Sequence, residues 1–145
     1  MKNATGMSLK DLNRLLRKNK SIDFRTHDFL RQISIDQLNW KGLEDEKNNL
    51  IPQLKAYQRM LRIVPEDDTD IAKELLEMGI SSSLQIAEMG KKMFIEDSEK
   101  AFRKKPELAQ DVYQKALTLR KLLALQYIDQ IQRSEAHSKA AGLNK

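Results

Sequence analysis

His27 and His137, the acids Glu66, Asp67, Asp68 and Asp70, the serines Ser81, Ser82 and Ser83, and five scattered glycines are the residues from which this chain could assemble chemistry. A zinc site needs ligands converging at fixed spacing, but the two histidines lie far apart with no helical pairing motif. The acid run invites a calcium loop. Counted from Asp67 or Asp68, however, it lacks the glycine at the sixth position and the glutamate at the twelfth, so it reads as acids favouring a helix start. Phosphate-cradling loops need clustered glycines, whereas Gly6, Gly42, Gly79, Gly90 and Gly142 stand singly. The serines fall at a helix cap with no histidine nearby, and a carboxylate acid–base pair would assemble only in space. With no cysteine, disulfides, thiolate chemistry and cysteine-ligated metals are excluded. The expectation is a non-catalytic protein with no cofactor and no metal.

Two features point to macromolecular binding instead. The first 32 residues carry eight basic side chains against Asp11, Asp23 and Asp28, so the whole net charge of +5 is concentrated there. Lys10, Arg14, Arg17 and Lys18 recur in steps of three and four and form a basic helix face, the candidate partner-binding stripe, with a simple solvated face as the plain alternative. The second feature is Gly79, Ile80 and Ser81. They resemble half of a helix-hairpin-helix turn, whose amides would meet a backbone phosphate, although Ser81 stands where a second glycine is expected.

Helices must position these residues, because apolar spacing of three and four runs through the chain and no segment alternates with period two. Ser8 and Asp11 bracket the start of a first helix with Leu9, Leu12, Leu15 and Leu16 inward. Lys20 to Arg25 reads as an extended connection. Thr26 is the expected N-cap of a second helix carrying Phe29, Leu30 and Ile33, which Ser34 and Ile35 interrupt. Trp40 falls in an irregular turn before Gly42, with its indole packed inward. From Glu44, the positions Leu50, Leu54, Tyr57, Leu61 and Val64 predict a helix ended by Pro65; Pro52 either opens it near Ile51 or kinks it. A short helix ends at Gly79. A capping box at Ser82 and Gln85 opens the next, which Gly90 closes. Met93, Phe94, Ala101 and Phe102 mark another helical stretch.

Pro106 opens the last helix at its favoured first position. One apolar stripe runs through Leu108, Val112, Ala116, Leu119, Leu123 and Tyr127, and Tyr113, Leu117, Leu122, Leu125, Ile128 and Ile131 widen it beyond one face. No breaker occurs before Gly142. A run of about 30 residues is roughly 45 Å long, against roughly 35–40 Å for a compact domain of this size. The polar residues from Arg133 onward are therefore expected to overhang, either continuing into a larger chain or contacting a partner.

Order and spacing over most of the chain resemble the helical region of the large A components of bacterial insecticidal toxin complexes and related virulence-plasmid A proteins. The likeness rests on Ile22-Asp-Phe-Arg-Thr26, on the segment from Gln53 to Pro65, on the segment from Leu75 to Met89 with Phe94 after it, and on Val112-Tyr-Gln-Lys-Ala116. Known members are far longer and carry a channel-forming part that this chain lacks. The resemblance implies a scaffold or interaction role within a helical shell and identifies no active site.

The expected protein is therefore all-α, a single domain over 1–145 with flexible ends at 1–7 and about 135–145. Its architecture is an irregular bundle of about five to seven helices with a long C-terminal helix. Its expected partner is another protein or the remainder of a larger chain, with oligomerisation through the long helix and nucleic-acid binding as further possibilities. Neither a signal peptide nor a membrane span is expected, which places it in the bacterial cytoplasm or in an exported toxin or injection particle.

Overall fold

A computed structural model describes residues 9–103 and 105–140, with side chains as far as Glu135. Among these residues every regular element is helical: α1 (Lys10–Lys18), α2 (Gln32–Asp36), α3 (Lys47–Leu61), α4 (Asp70–Glu77), α5 (Ser83–Met89), α6 (Lys91–Asp97) and α7 (Pro106–Ala140), with one 3₁₀ turn (Glu44–Glu46) before α3. α3 packs against α1 and α4, and α7 against α5 and α6. One core cluster runs from Leu9 to Ala116. No described helix is long and apolar enough to cross a membrane.

The expected cap Ser8 and the N-terminal segment 1–7 lie outside the described residues, as do 141–145. α1 starts at Lys10 with Leu12 and Leu15 fully buried and Leu16 partly so. Asn19, just past its end, is buried, and its amide is fully used. Nδ2 donates to the carbonyls of Leu15 at 2.9 Å and Asn39 at 3.2 Å, while Oδ1 accepts from the Asn39 amide at 2.7 Å. One side chain thus ends α1 and ties it to the turn carrying Trp40, whose indole Nε1 donates to the Ile35 carbonyl at 2.9 Å. The inward packing of Trp40 agrees with the sequence reading.

The expected second helix is corrected. Thr26 caps nothing and lies in a turn, where its hydroxyl bonds the Asp23 carbonyl. The helix forms later, as α2, and contains the Ser34 and Ile35 that were expected to break it. Asp28 is the local organiser. Its carboxylate accepts the Leu30 amide at 2.8 Å and the Arg31 Nε at 2.6 Å. Phe29 is consequently turned into the core, but Leu30 and Ile33 are left 91% and 67% exposed. The Arg31 hydrogen bond, and then the Leu30 amide, hold the Asp28 carboxyl down at about 2.

The loop between α1 and α2 is held against α3. Phe24 stacks on Phe29 and meets Tyr57 edge-on, with ring centroids 6.2 and 6.3 Å apart. Gln58 Nε2 donates to the carbonyls of Phe24 and His27, and Arg25 donates through Nε and Nη2 to the Leu61 carbonyl at 3.0 and 2.8 Å. Arg25 therefore serves a carbonyl that the end of α3 would otherwise leave unpaired. α3 itself begins at Lys47, before Pro52, so the proline sits inside the helix and not in its first turn. The carbonyl of Asn48 loses its helical donor there, at an exposed position where water can replace it.

Two outcomes follow. Asn19→Ala leaves the groups around Asn39 without their partners and should lower stability by about 1–3 kcal/mol in urea unfolding, with an unchanged slope. For Asp28, a folded value below the ordinary 3.8 means its stabilisation is present above that value and lost as pH falls towards about 2. Asp28→Asn should thus melt earlier than the parent at neutral pH, and the two melting temperatures should converge between these limits.

Candidate interaction surface

Pro106 opens α7 as expected, and the first three turns of the helix are built to be buried. Ala109, Val112 and Ala116 are almost wholly inaccessible, and their small side chains let the backbone of α7 come close to α5. Tyr113 leans on Phe94 at 6.1 Å, and Phe94 meets Phe102 edge-on at 5.8 Å. That aromatic cluster joins α6, the turn after it and α7. Ser98, the buried polar residue at its edge, donates its hydroxyl to the Phe94 carbonyl.

Burial then stops. α5 and α6 are seven residues each, about 10 Å long, whereas α7 has 35 residues and runs about 52 Å. From Arg120 to Glu135 every residue is exposed. At about 100° per residue, Leu123, Tyr127 and Ile131 continue the line of Val112, Ala116 and Leu119, and Ile128 lies beside them. These four side chains are 49%, 65%, 41% and 49% exposed, in the order Leu123, Tyr127, Ile131 and Ile128. Leu122 and Leu125 are exposed on the other side of the helix. The overhang expected from Arg133 thus starts a full three turns earlier and takes in the apolar residues Leu122 to Ile131, which the spacing alone had counted with the stripe of the core.

The basic face of α1 is formed as the spacing implied, opposite the buried leucines, but its charges are not equivalent. Lys10, Arg17 and Lys18 are exposed, while Arg14 is half-buried and pairs with Asp11 at 3.3 Å. Arg17 borders a groove with Lys20 and Lys73, closed by Tyr57 and Thr69. Burial pushes the Tyr57 phenol up. α3 adds Lys55 and Arg59, and the residue after it Arg62, around the loop that carries His27 and Asp28.

At the α4–α5 turn, Gly79 takes the left-handed backbone expected of it, with φ of +84°. Its amide donates to Leu76, the Ile80 amide to Leu75 and the Ser81 amide to Gln85 Oε1. Gln85 also donates its backbone amide to the capping Ser82 Oγ at 3.1 Å and its Nε2 to the Gly79 carbonyl at 2.7 Å. All three amides of Gly79, Ile80 and Ser81 are therefore engaged inside the turn, which leaves none pointed at an external phosphate.

Sequence reasoning placed the apolar residues of α7 correctly but not the point where their cover ends. It also passed over Asn19, Arg25, Asp28 and Gln58; Asn19 alone had a local signal, as a polar residue directly after a helix. Among the described residues no group of three or more His, Asp or Glu stands close enough to hold a metal ion. Comparison with known protein families, with curated proteins and with solved structures gives no match. Fold and surface together define an all-helical bundle whose longest helix leaves half its length uncovered.

If the distal half of α7 contributes nothing to the core, Leu125→Ala should change stability by less than about 0.5 kcal/mol, whereas Leu75→Ala, from a fully buried site, should cost about 2–5 kcal/mol. Chemical denaturation of the two variants checks the contrast.

Proposed function

We propose that this chain is a non-catalytic helical interaction or scaffold domain, of the kind found in the helical region of toxin-complex A components. It docks through the distal half of α7, with the basic face of α1, Lys10, Arg14, Arg17 and Lys18, as a second contact. The observation that carries the reading is the row Leu123, Tyr127, Ile128 and Ile131, exposed on a helix whose first three turns are packed into the core. Apolar faces of this extent on a soluble domain mark interaction sites. On this reading the protein is made in a bacterial cytoplasm and acts within a toxin or injection particle.

The segments that carry the family resemblance also support it. Phe24 and Arg25 of the first bond Gln58 and Leu61 of the second, and Arg59 of the second donates to the Ser81 carbonyl of the third at 3.1 Å. Motifs far apart in sequence are thus one hydrogen-bonded unit, which is what a shared fold would require of them.

Co-expression with the products of the reading frames on either side of its gene tests the proposal. A stable complex should form and should be lost on replacing Tyr127 and Ile131 with glutamate, with the helical circular dichroism unchanged. No complex with any neighbour, together with a labelled duplex shifted at low salt and released steeply as salt rises, would replace it by nucleic-acid binding.

A further inference from the structure

The distal half of α7 has a charge order as well as an apolar face. Among the described side chains, the row containing Leu123, Tyr127, Ile128 and Ile131 opens on Arg120, with Lys121 at its edge, and has Glu135 as its last member. On the opposite side of the helix, Asp129 and Arg133 pair with each other at 3.0 Å and are already neutralised. The interacting face is therefore basic at one end, apolar in the middle and acidic at the other.

That order is self-complementary in one direction only. Two copies laid parallel would bring Arg120 onto the partner's Arg120 and Glu135 onto the partner's Glu135. Laid antiparallel, each Arg120 meets the partner's Glu135, and the contact occurs twice. We propose that the distal half of α7 pairs antiparallel with the same segment of a second copy of this chain, about a two-fold axis between Tyr127 and Ile128. Tyr127 then packs on the partner's Ile128, and Ile131 lies over the partner's Ala124, large against small. The contact is isologous, so it closes on itself and does not propagate into fibres.

The size is sufficient. Each large apolar side chain of the row keeps between 41% and 65% of its surface free to lose to a partner. With the stems of Arg120 and Glu135, this comes to roughly 500 Å² per copy and about 1,000 Å² in all, the lower bound for a specific interface. The dimer should accordingly be reversible, with half-dissociation in the micromolar range.

This inference rests on the interaction reading above and names its occupant. Sedimentation velocity on the full chain, from about 1 to about 200 µM, should show a monomer passing into a dimer. Tyr127→Glu with Ile131→Glu should leave a monomer at every concentration while the circular dichroism stays the same. Arg120→Glu and Glu135→Arg should each weaken the dimer about five- to tenfold, by setting like charges opposite one another. The two changes in one chain should restore it to within about threefold of the parent. A chain monomeric throughout overturns the proposal, as does a dimer indifferent to Tyr127 and Ile131. A dimer that those residues control but that the paired charge swap fails to restore overturns the antiparallel arrangement. A monomer that still co-purifies with a neighbouring gene product would sink this inference and leave the interaction reading standing. A dimer with no such partner would do the reverse.

Discussion

The irregular segment between α1 and α2 pairs part of its backbone in its own turns, and two carbonyls left over, those of Phe24 and His27, take their donor from one half-buried side chain of α3. Gln58 serves Phe24 and His27, and Arg25 returns the connection by serving Leu61 at the helix end. Buried and half-buried backbone groups left unpaired cost more than most single contacts contribute, so this exchange sets where the loop can lie. Once it lies there, Phe24 reaches Tyr57 and carries Phe29 stacked on it, Asn19 can clamp α1 to the Trp40 turn, and the first helix has a fixed place on α3. The N-terminal half is in this sense arranged around a loop, with the helices as its donors and acceptors.

The C-terminal half is arranged around a mismatch of lengths. α5 and α6 are short because Gly90 ends one and the turn after Ser98 ends the other, so together they cover only the opening turns of α7. α7 meets no glycine or proline between Glu107 and Ala140 and is rich in good helix formers, so its backbone propagates past its own cover. An apolar stripe that ran on into solvent without purpose would be an aggregation hazard. Its flanking charges, basic first and acidic last, confine the ways in which it can be covered.

Several polar groups of the chain are occupied with structure. At the α4–α5 turn Ser82 accepts the Gln85 amide and Gln85 accepts the Ser81 amide, Asp28 organises the start of α2, and Arg14 is drawn to Asp11. Among the described residues, the outer charge of α1, namely Lys10, Arg17 and Lys18, and the distal face of α7 stand exposed to solvent. Both suit contact with another macromolecule better than contact with a small substrate.

The all-helical class, the burial of Leu12, Leu15, Leu54, Leu75 and Val112, the left-handed Gly79, the Ser82 cap and the Pro106 start were legible in the chain alone. Each of these follows from local rules: a period of 3.6 residues, a backbone angle that glycine adopts freely, or a missing amide tolerated in a first turn. The tertiary structure alone decided the rest. Thr26 has the chemistry of an N-cap, but Asp28 offered its two neighbours a better acceptor, so α2 formed later and Leu30 turned outward. The partners of Asn19, Arg25 and Gln58 lie some twenty to thirty-six residues away, beyond the reach of any periodicity. Likewise the stripe on α7 reads the same before and after Arg120. Whether an apolar residue is core or surface depends on what stands opposite it, and only the folded lengths of α5 and α6 decide where that cover ends.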